Sequence, residues 1–269
     1  MSQELIDRWT VFIEKVSERL DAIIQEAGQG VLAIGRAHRE DSMPLNNALT
    51  GLDHRVRQLE ERIDQVWDDK VEGQFSSVGG KVHDLGIDMT ADAKRTHRQR
   101  WERAKASWLS TLANEAKPLA LAAEAEPVAC QNCGAPLALP TRRKTVSHPC
   151  GSCGTVNQVV PPAIVRAYFG AGCVNLANAA SLPHRHAVED NRVEVDRWSR
   201  ARNWAAETVE SMETWRDLER KVHQTYAETL ASLTGEPIDT GFVESRMKHF
   251  MKYGLDMNQA WVKVHGRST

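Results

Sequence analysis

The residues with the most specific chemistry are cysteines. Cys130, Cys133, Cys150 and Cys153 form two C-x2-C pairs separated by sixteen residues, and Cys173 stands apart. Two residues between cysteines let one tight turn present two sulfurs to a single ion. Two such turns supply four thiolates, the number and softness of donor that zinc takes in structural sites. Gly134 and Gly154 each follow the second cysteine of a pair. Glycine there permits positive φ and lets backbone N–H groups approach the sulfurs. Four thiolates fill a tetrahedral shell and leave no open position for substrate, so the pattern predicts one structural Zn2+ and no catalysis at the ion. A redox dithiol would need a C-x2-C opening a helix, whereas both pairs sit among glycines and prolines.

The surrounding segment, 127–162, differs from the rest of the chain. It holds six prolines (Pro127, Pro136, Pro140, Pro149, Pro161 and Pro162) and no acidic residue. Leu137–Pro140 and Lys144–Ser147 read as strands of a hairpin between the pairs, and Thr155–Val160 as a third strand. The run CQNCGAPL followed by HPCGSCGTVNQVV resembles the zinc-ribbon family over this segment alone. The resemblance implies two metal-binding knuckles on β-hairpins, with the family's ligand roles at Cys130, Cys133, Cys150 and Cys153. It leaves function open, because zinc ribbons occur in transcription factors, ribosomal proteins, enzymes and assembly proteins. A rubredoxin-like iron site would use similar ligands. His148 reads as a strand-end residue beside the second pair.

Arg142, Arg143 and Lys144 give this segment +3, which leaves the remainder at −5. At a hairpin tip the triplet could contact phosphates or a partner; the alternative is a solvated turn. No aromatic side chain lies in the segment to stack on bases.

Other candidates are weaker. His184 and His186 would share a face on a strand and could then bind metal; in a loop before a helix they are ordinary polar residues. Cys173 lacks an assignable base and reads as a core cysteine. Gly80-Lys81 is not preceded by the glycine of a phosphate loop, and Gly28-Gln29-Gly30 follows a helix pattern rather than a strand. No catalytic constellation is assigned.

Helices must position this module. Leu5, Ile6, Trp9, Phe12, Ile13, Val16, Leu20, Ile23 and Ile24 recur at three- and four-residue steps, which predicts an amphipathic helix over 2–27 ended by Gly28 and Gly30. Leu45, Leu49, Leu52, Val56, Leu59, Ile63 and Val66 form an a/d heptad stripe. With Leu49, Val56 and Ile63 at a, the stripe suits either a parallel two-stranded coiled coil or an internal bundle helix. Trp67 widens the apolar face and favours the bundle. Glycines at 73, 79, 80 and 86 predict a loop or broken helix over 72–88, with helical periodicity resuming near Met89. Pro118 and the alanine-rich run to Glu126 read as an exit linker. Beyond the ribbon, Ala163–Leu182 reads as a helix broken by Pro183. A charged helical stretch from Ala187 to Leu233 follows, about 70 Å long if unbroken. Gly235 and Pro237 stop it, and two short helices with Gly254 between them close the chain.

The expected fold is mainly α, a helical bundle with long helical hairpins and a small inserted β-type zinc ribbon. The expected parts are 1–126 helical, 127–162 ribbon and 163–269 helical, with the two helical parts packed together. The net charge of −2 over 269 residues argues against a wholly basic nucleic-acid binder. No apolar run is long enough to cross a membrane, and the start of the chain lacks a signal-peptide pattern. An odd, clustered cysteine set suits a reducing cytoplasm. The leading functional expectation is a non-enzymatic interaction or assembly protein with a protein partner or self-association. Nucleic-acid binding through the ribbon comes next, then an enzyme with its site in the helices.

Overall fold

The computed structural model describes residues 2–201, 209–238 and 241–248. The order of elements is α1 (Ser2–Ala37), α2 (Met43–Val66), α3 (Glu72–Val78), α4 (Gly80–Ala125), β1 (Val146–Pro149), β2 (Val156–Val159), α5 (Ala163–Ala167), α6 (Cys173–Ala201) and α7 (Val209–Thr234). Residues 241–248 are helical; the second closing helix lies outside the described residues. The fold is mainly α with one small two-stranded antiparallel sheet.

The 46-residue α4 is the spine. Helix α1 runs parallel to it: Asp21 pairs with Arg100, and Arg36 pairs with Glu115 at 2.7 Å. Helix α2 runs antiparallel to both. Its Asp53 accepts from Lys105 and Asp64 from Lys94, while Arg55 approaches Glu26. The heptad stripe is spent in this packing. Val56 packs with Leu20, Ile23 and Trp101, and Ile63 with Trp9, Val16, Trp67 and Phe75. Those a positions therefore face this chain's own α1 and α4 rather than a second copy. Rings reinforce the cluster, with Trp9 and Trp67 centroids 5.6 Å apart and Trp67 and Phe75 5.3 Å apart.

Helix α6 lies antiparallel along another face of α4, and contacts across this seam are largely ionic. Asp88 meets Arg197 and Arg200, Arg95 meets Asp190 at 2.6 Å, and His186 meets Glu102 at 3.0 Å. Helix α7 returns antiparallel to α6, so that Leu230 and Leu233 reach Tyr168 and Cys173 at the start of α6.

Several helix boundaries depart from the sequence reading, and contacts across the fold explain them. Helix α1 continues through Gly28 and Gly30 to Ala37. A Cβ on Gly28 would lie 3.1 Å from the Trp108 ring nitrogen, and one on Gly35 would lie 2.3 Å from Leu112. Glycine at these positions is used for close approach to α4, not for a stop. The broken-helix expectation over 72–88 holds: Gly79, at φ +134°, separates α3 from α4. Helical structure resumes at Gly80 rather than near Met89. Gly86 admits Trp67, whose ring carbon would sit 2.3 Å from a Cβ. The expected exit linker is instead the last turns of α4, which carries Pro118 internally and buries Ala120 completely. Pro183 likewise lies inside α6. A π-helical turn, Tyr168–Gly172, joins α5 to α6 without interrupting the helix. The charged stretch is divided between α6 and α7, and residues 202–208 lie outside the described residues.

Candidate metal centre

The four cysteines at the C-x2-C spacings come together. Their sulfurs all lie within 4.8 Å of one another. Cys130 Sγ is 3.7 Å from Cys153 Sγ, and Cys133 Sγ is 3.6 Å from Cys150 Sγ. Four thiolates around one ion with bonds of about 2.3 Å have sulfurs about 3.8 Å apart, so the donor set fits a tetrahedral ion. The spacings are far longer than a disulfide bond of about 2.05 Å.

The two turns are built alike. Cys130 N–H donates to Ala135 O at 2.7 Å, and Gly134 N–H to Cys130 O at 3.0 Å. In the second turn, Cys150 N–H donates to Thr155 O and Gly154 N–H to Cys150 O, both at 2.9 Å. Gly134 and Gly154 share φ +72°. This left-handed conformation suits glycine and curls each chain back around its sulfurs. Strand β1 ends at Pro149, directly before the second pair, and pairs antiparallel with β2 from Val146↔Val159 to Pro149↔Val156. The expected hairpin between 137–140 and 144–147 does not form. Leu137 is tied to Val128 instead, at 2.8 Å, beside a bridge between Ala129 and Pro136. Each knuckle thus pairs across its own cysteine turn, because the turn supplies the reversal.

Polar groups brace the sulfurs. Asn157 is almost wholly buried. Its amide nitrogen lies 3.5 Å from Cys130 Sγ and 2.9 Å from Thr155 O, and its oxygen accepts from Gln131 N–H at 2.9 Å. It links the two turns, as carboxamides that orient metal ligands do. The Thr155 hydroxyl, 3.3 Å from Cys153 Sγ, and the Thr155 N–H favour the thiolate there and bring its pKa down to about 6. The Cys133 N–H holds Cys130 below the usual thiol range. At Cys133 the Ala135 N–H pulls the pKa down, but proton sharing with Cys153, Cys150 and Cys130 and partial burial outweigh it, to about 12. Crowded thiols that cannot all ionise independently are what a cation relieves. Nothing in the residue types of Asn157 and Thr155 marks them as sulfur partners. The signal for them is their position, four and two residues past Cys153 respectively.

His148 sits on β1 opposite Asn157 and is not a member of the sulfur cluster. His184 and His186 fall on α6, a helix, rather than on a strand, so two-residue spacing puts them on different sides. His186 is buried against Glu102. Among the described residues no second group of three or more close ligands occurs. Cys173 is fully buried beside Tyr168, and burial raises its pKa.

The basic triplet turns inward. Arg142 donates to the carbonyls of Ala123, at 3.0 Å, and Glu126. Arg143 bonds Glu124 at 2.7 Å and the Thr234 carbonyl, and lies 3.9 Å over the Phe169 ring. Lys144 bonds Glu236 at 2.7 Å and is the most exposed of the three. These cations therefore cover the C-terminal ends of α4 and α7, where unpaired carbonyls and the negative end of the helix dipole attract positive charge. No known protein family, no curated protein and no solved structure matches the chain.

Proposed function

We propose that the protein is a non-enzymatic interaction or assembly protein, with its ribbon stapled by one structural zinc ion. Zinc is favoured among tetrahedral thiolate ions because it needs no redox partner and takes four cysteines in closed structural sites. The closed sulfur shell supports a structural rather than a catalytic role. The observation that carries the interaction reading is the distribution of exposed apolar side chains. Among the described residues, Leu119, Leu121, Val156, Val160 and Ile238 are five of the eight large apolar residues left exposed. All five lie on the ribbon, on the last turns of α4 or just beyond α7. Val156 and Val160, four residues apart on the ribbon, are the two most exposed of the five, and apolar side chains left in water at one end of the molecule support a protein-binding role.

Nucleic-acid binding through Arg142, Arg143 and Lys144 has less support, because the two guanidinium groups already serve carbonyls and a carboxylate within the chain.

Native mass spectrometry of the protein purified from its own host tests the reading. The expected result is one zinc per chain together with a bound protein or a second copy. A Val156→Asp, Val160→Asp double variant should retain zinc and lose that partner. A zinc-loaded monomer in both preparations would overturn the interaction reading, and a metal-free chain would overturn the zinc assignment.

A further inference from the structure

A cavity of about 520 Å³ opens away from the metal centre, where the turn after α1, the first turn of α2, the middle of α4 and the Tyr168–Gly172 π-helical turn meet. Small residues keep it open. Ala113 and Ala116 on α4, and Ala167, Ala171 and Gly172 on the opposite wall, stand where longer side chains would fill such a junction. Leu45, Leu109, Leu112 and Tyr168 supply apolar surface. The volume falls within the roughly 300–1,000 Å³ of small-molecule sites, which are mostly apolar with a few convergent polar groups.

The wall is also irregular backbone. In the π-helical turn the Cys173 N–H reaches back to Tyr168 O, and single turns of this kind occur often at binding sites. Tyr168 is almost wholly buried, and its hydroxyl makes no hydrogen bond of ordinary geometry among the described residues. Burial, with the Cys173 thiol nearby, pushes its pKa up to about 12, so Tyr168 adds no charge to the cavity wall.

Charge selects the ligand class. Arg39, Arg166 and Glu40 border the cavity, two guanidinium groups against one carboxylate. Arg39 has only a 3.9 Å approach to Glu115, and the Arg166 side chain makes no ion pair among the described residues. One surplus positive charge suits a monoanion better than a phosphate dianion.

We propose that this cavity binds a small amphipathic carboxylic acid. Its carboxylate lies towards Arg39 and Arg166, and its apolar body lies against Leu109, Leu112 and Tyr168. The site is independent of the zinc ion and of the partner surface.

Titration of the full-length, metal-loaded protein with decanoate, followed by calorimetry, tests it, with decanol as the uncharged control. Decanoate is expected to bind saturably with one site per chain, and decanol at least tenfold more weakly. Arg166→Glu, at an exposed position, should weaken decanoate at least tenfold and leave decanol unchanged. Ala171→Phe, which grows into the cavity from its exposed rim, should weaken both. Circular dichroism of each variant checks that the helices are intact. No saturable decanoate binding would overturn the proposal, as would binding that both folded variants leave unchanged. Equal affinity for decanol and decanoate would overturn the carboxylate assignment.

Discussion

The ribbon and the α1–α2–α4 bundle reach order by opposite means. The bundle buries large side chains in contact with one another: Trp9, Val16, Ile63, Trp67 and Phe75 form one cluster, and Leu20, Ile23, Val56 and Trp101 another. The ribbon buries little. Its own cluster consists of Cys130, Leu137, Cys150 and Val159, half of it sulfur. A segment below about 40 residues does not remove enough apolar surface from water to balance its chain entropy. Four thiolates placed to hold one cation offer the ribbon what burial gives the bundle. The difference should appear as separate failure modes, one sensitive to metal and the other to cavity volume.

The largest effect is expected at the sulfurs. Cys150→Ser, or removal of the metal, should abolish metal binding and unfold 127–162, because structural zinc supplies apparent free energies of about 10–16 kcal/mol. The helical circular dichroism should persist. Loss of both signals together would show that the bundle depends on the ribbon. The converse change is Ile63→Ala. Ile63 is fully buried, and its truncation should cost about 2–5 kcal/mol, read as a lower urea midpoint. Metal content below that midpoint should be unchanged. All eight tryptophans lie outside the ribbon, and Trp9, Trp67, Trp101 and Trp108 lie in the bundle clusters, so fluorescence reports the part of the chain outside the ribbon while metal content reports the ribbon.

The same contrast explains how much the sequence reveals. Metal ligation is local: two turns and a short connection carry it, and the spacing of Cys130, Cys133, Cys150 and Cys153 is readable without knowing the fold. The buried a positions Leu49, Val56 and Ile63 are legible for a similar reason, since one helix carries the period. Helix ends were less legible. Gly28, Gly35 and Gly86 have meaning only once Trp108, Leu112 and Trp67 are placed against them. Pro118 and Pro183 read as breaks until neighbouring helices hold their helices continuous. The basic triplet reads as a free tip because its acceptors are distant in sequence: the Thr234 carbonyl lies ninety-one residues from Arg143.

Arg143 joins the two regions and should give an intermediate effect. Arg143→Ala removes the bond to Glu124, the bond to the Thr234 carbonyl and the stack on Phe169. Together these contribute about 2 kcal/mol. The metal should stay bound. Amide exchange at Gly235, whose N–H bonds Ala231 O at 2.8 Å, should quicken as the end of α7 loosens. Arg143→Lys keeps the charge without the planar fork and should recover only part of the loss. Unchanged exchange in Arg143→Ala would mean that apolar contacts such as Leu230 and Leu233 against Tyr168 fix the end of α7 by themselves.

The smallest expected effect belongs to the bundle and is switched by protons rather than metal. His97 on α4 is buried, with Nε2 2.6 Å from Ser17 Oγ and Nδ1 without a partner among the described residues. Burial lowers its pKa from the ordinary value of 6.5, because the charged ring would lie away from water. The unfolded chain therefore binds this proton more readily than the folded one, and stability falls as pH drops through 6.5. The loss flattens once acidity is high enough to protonate the folded ring as well. One such group contributes at most about 1.4 kcal/mol per pH unit. Urea midpoints from tryptophan fluorescence at pH 7.5, 6.5 and 5.5 measure it. His97→Gln retains a polar side chain opposite Ser17 and does not titrate, so its midpoint should fall less than the wild-type midpoint over that range. Equal falls would show that another group carries the acid sensitivity; His223 on α7, which burial also depresses, is the next to substitute.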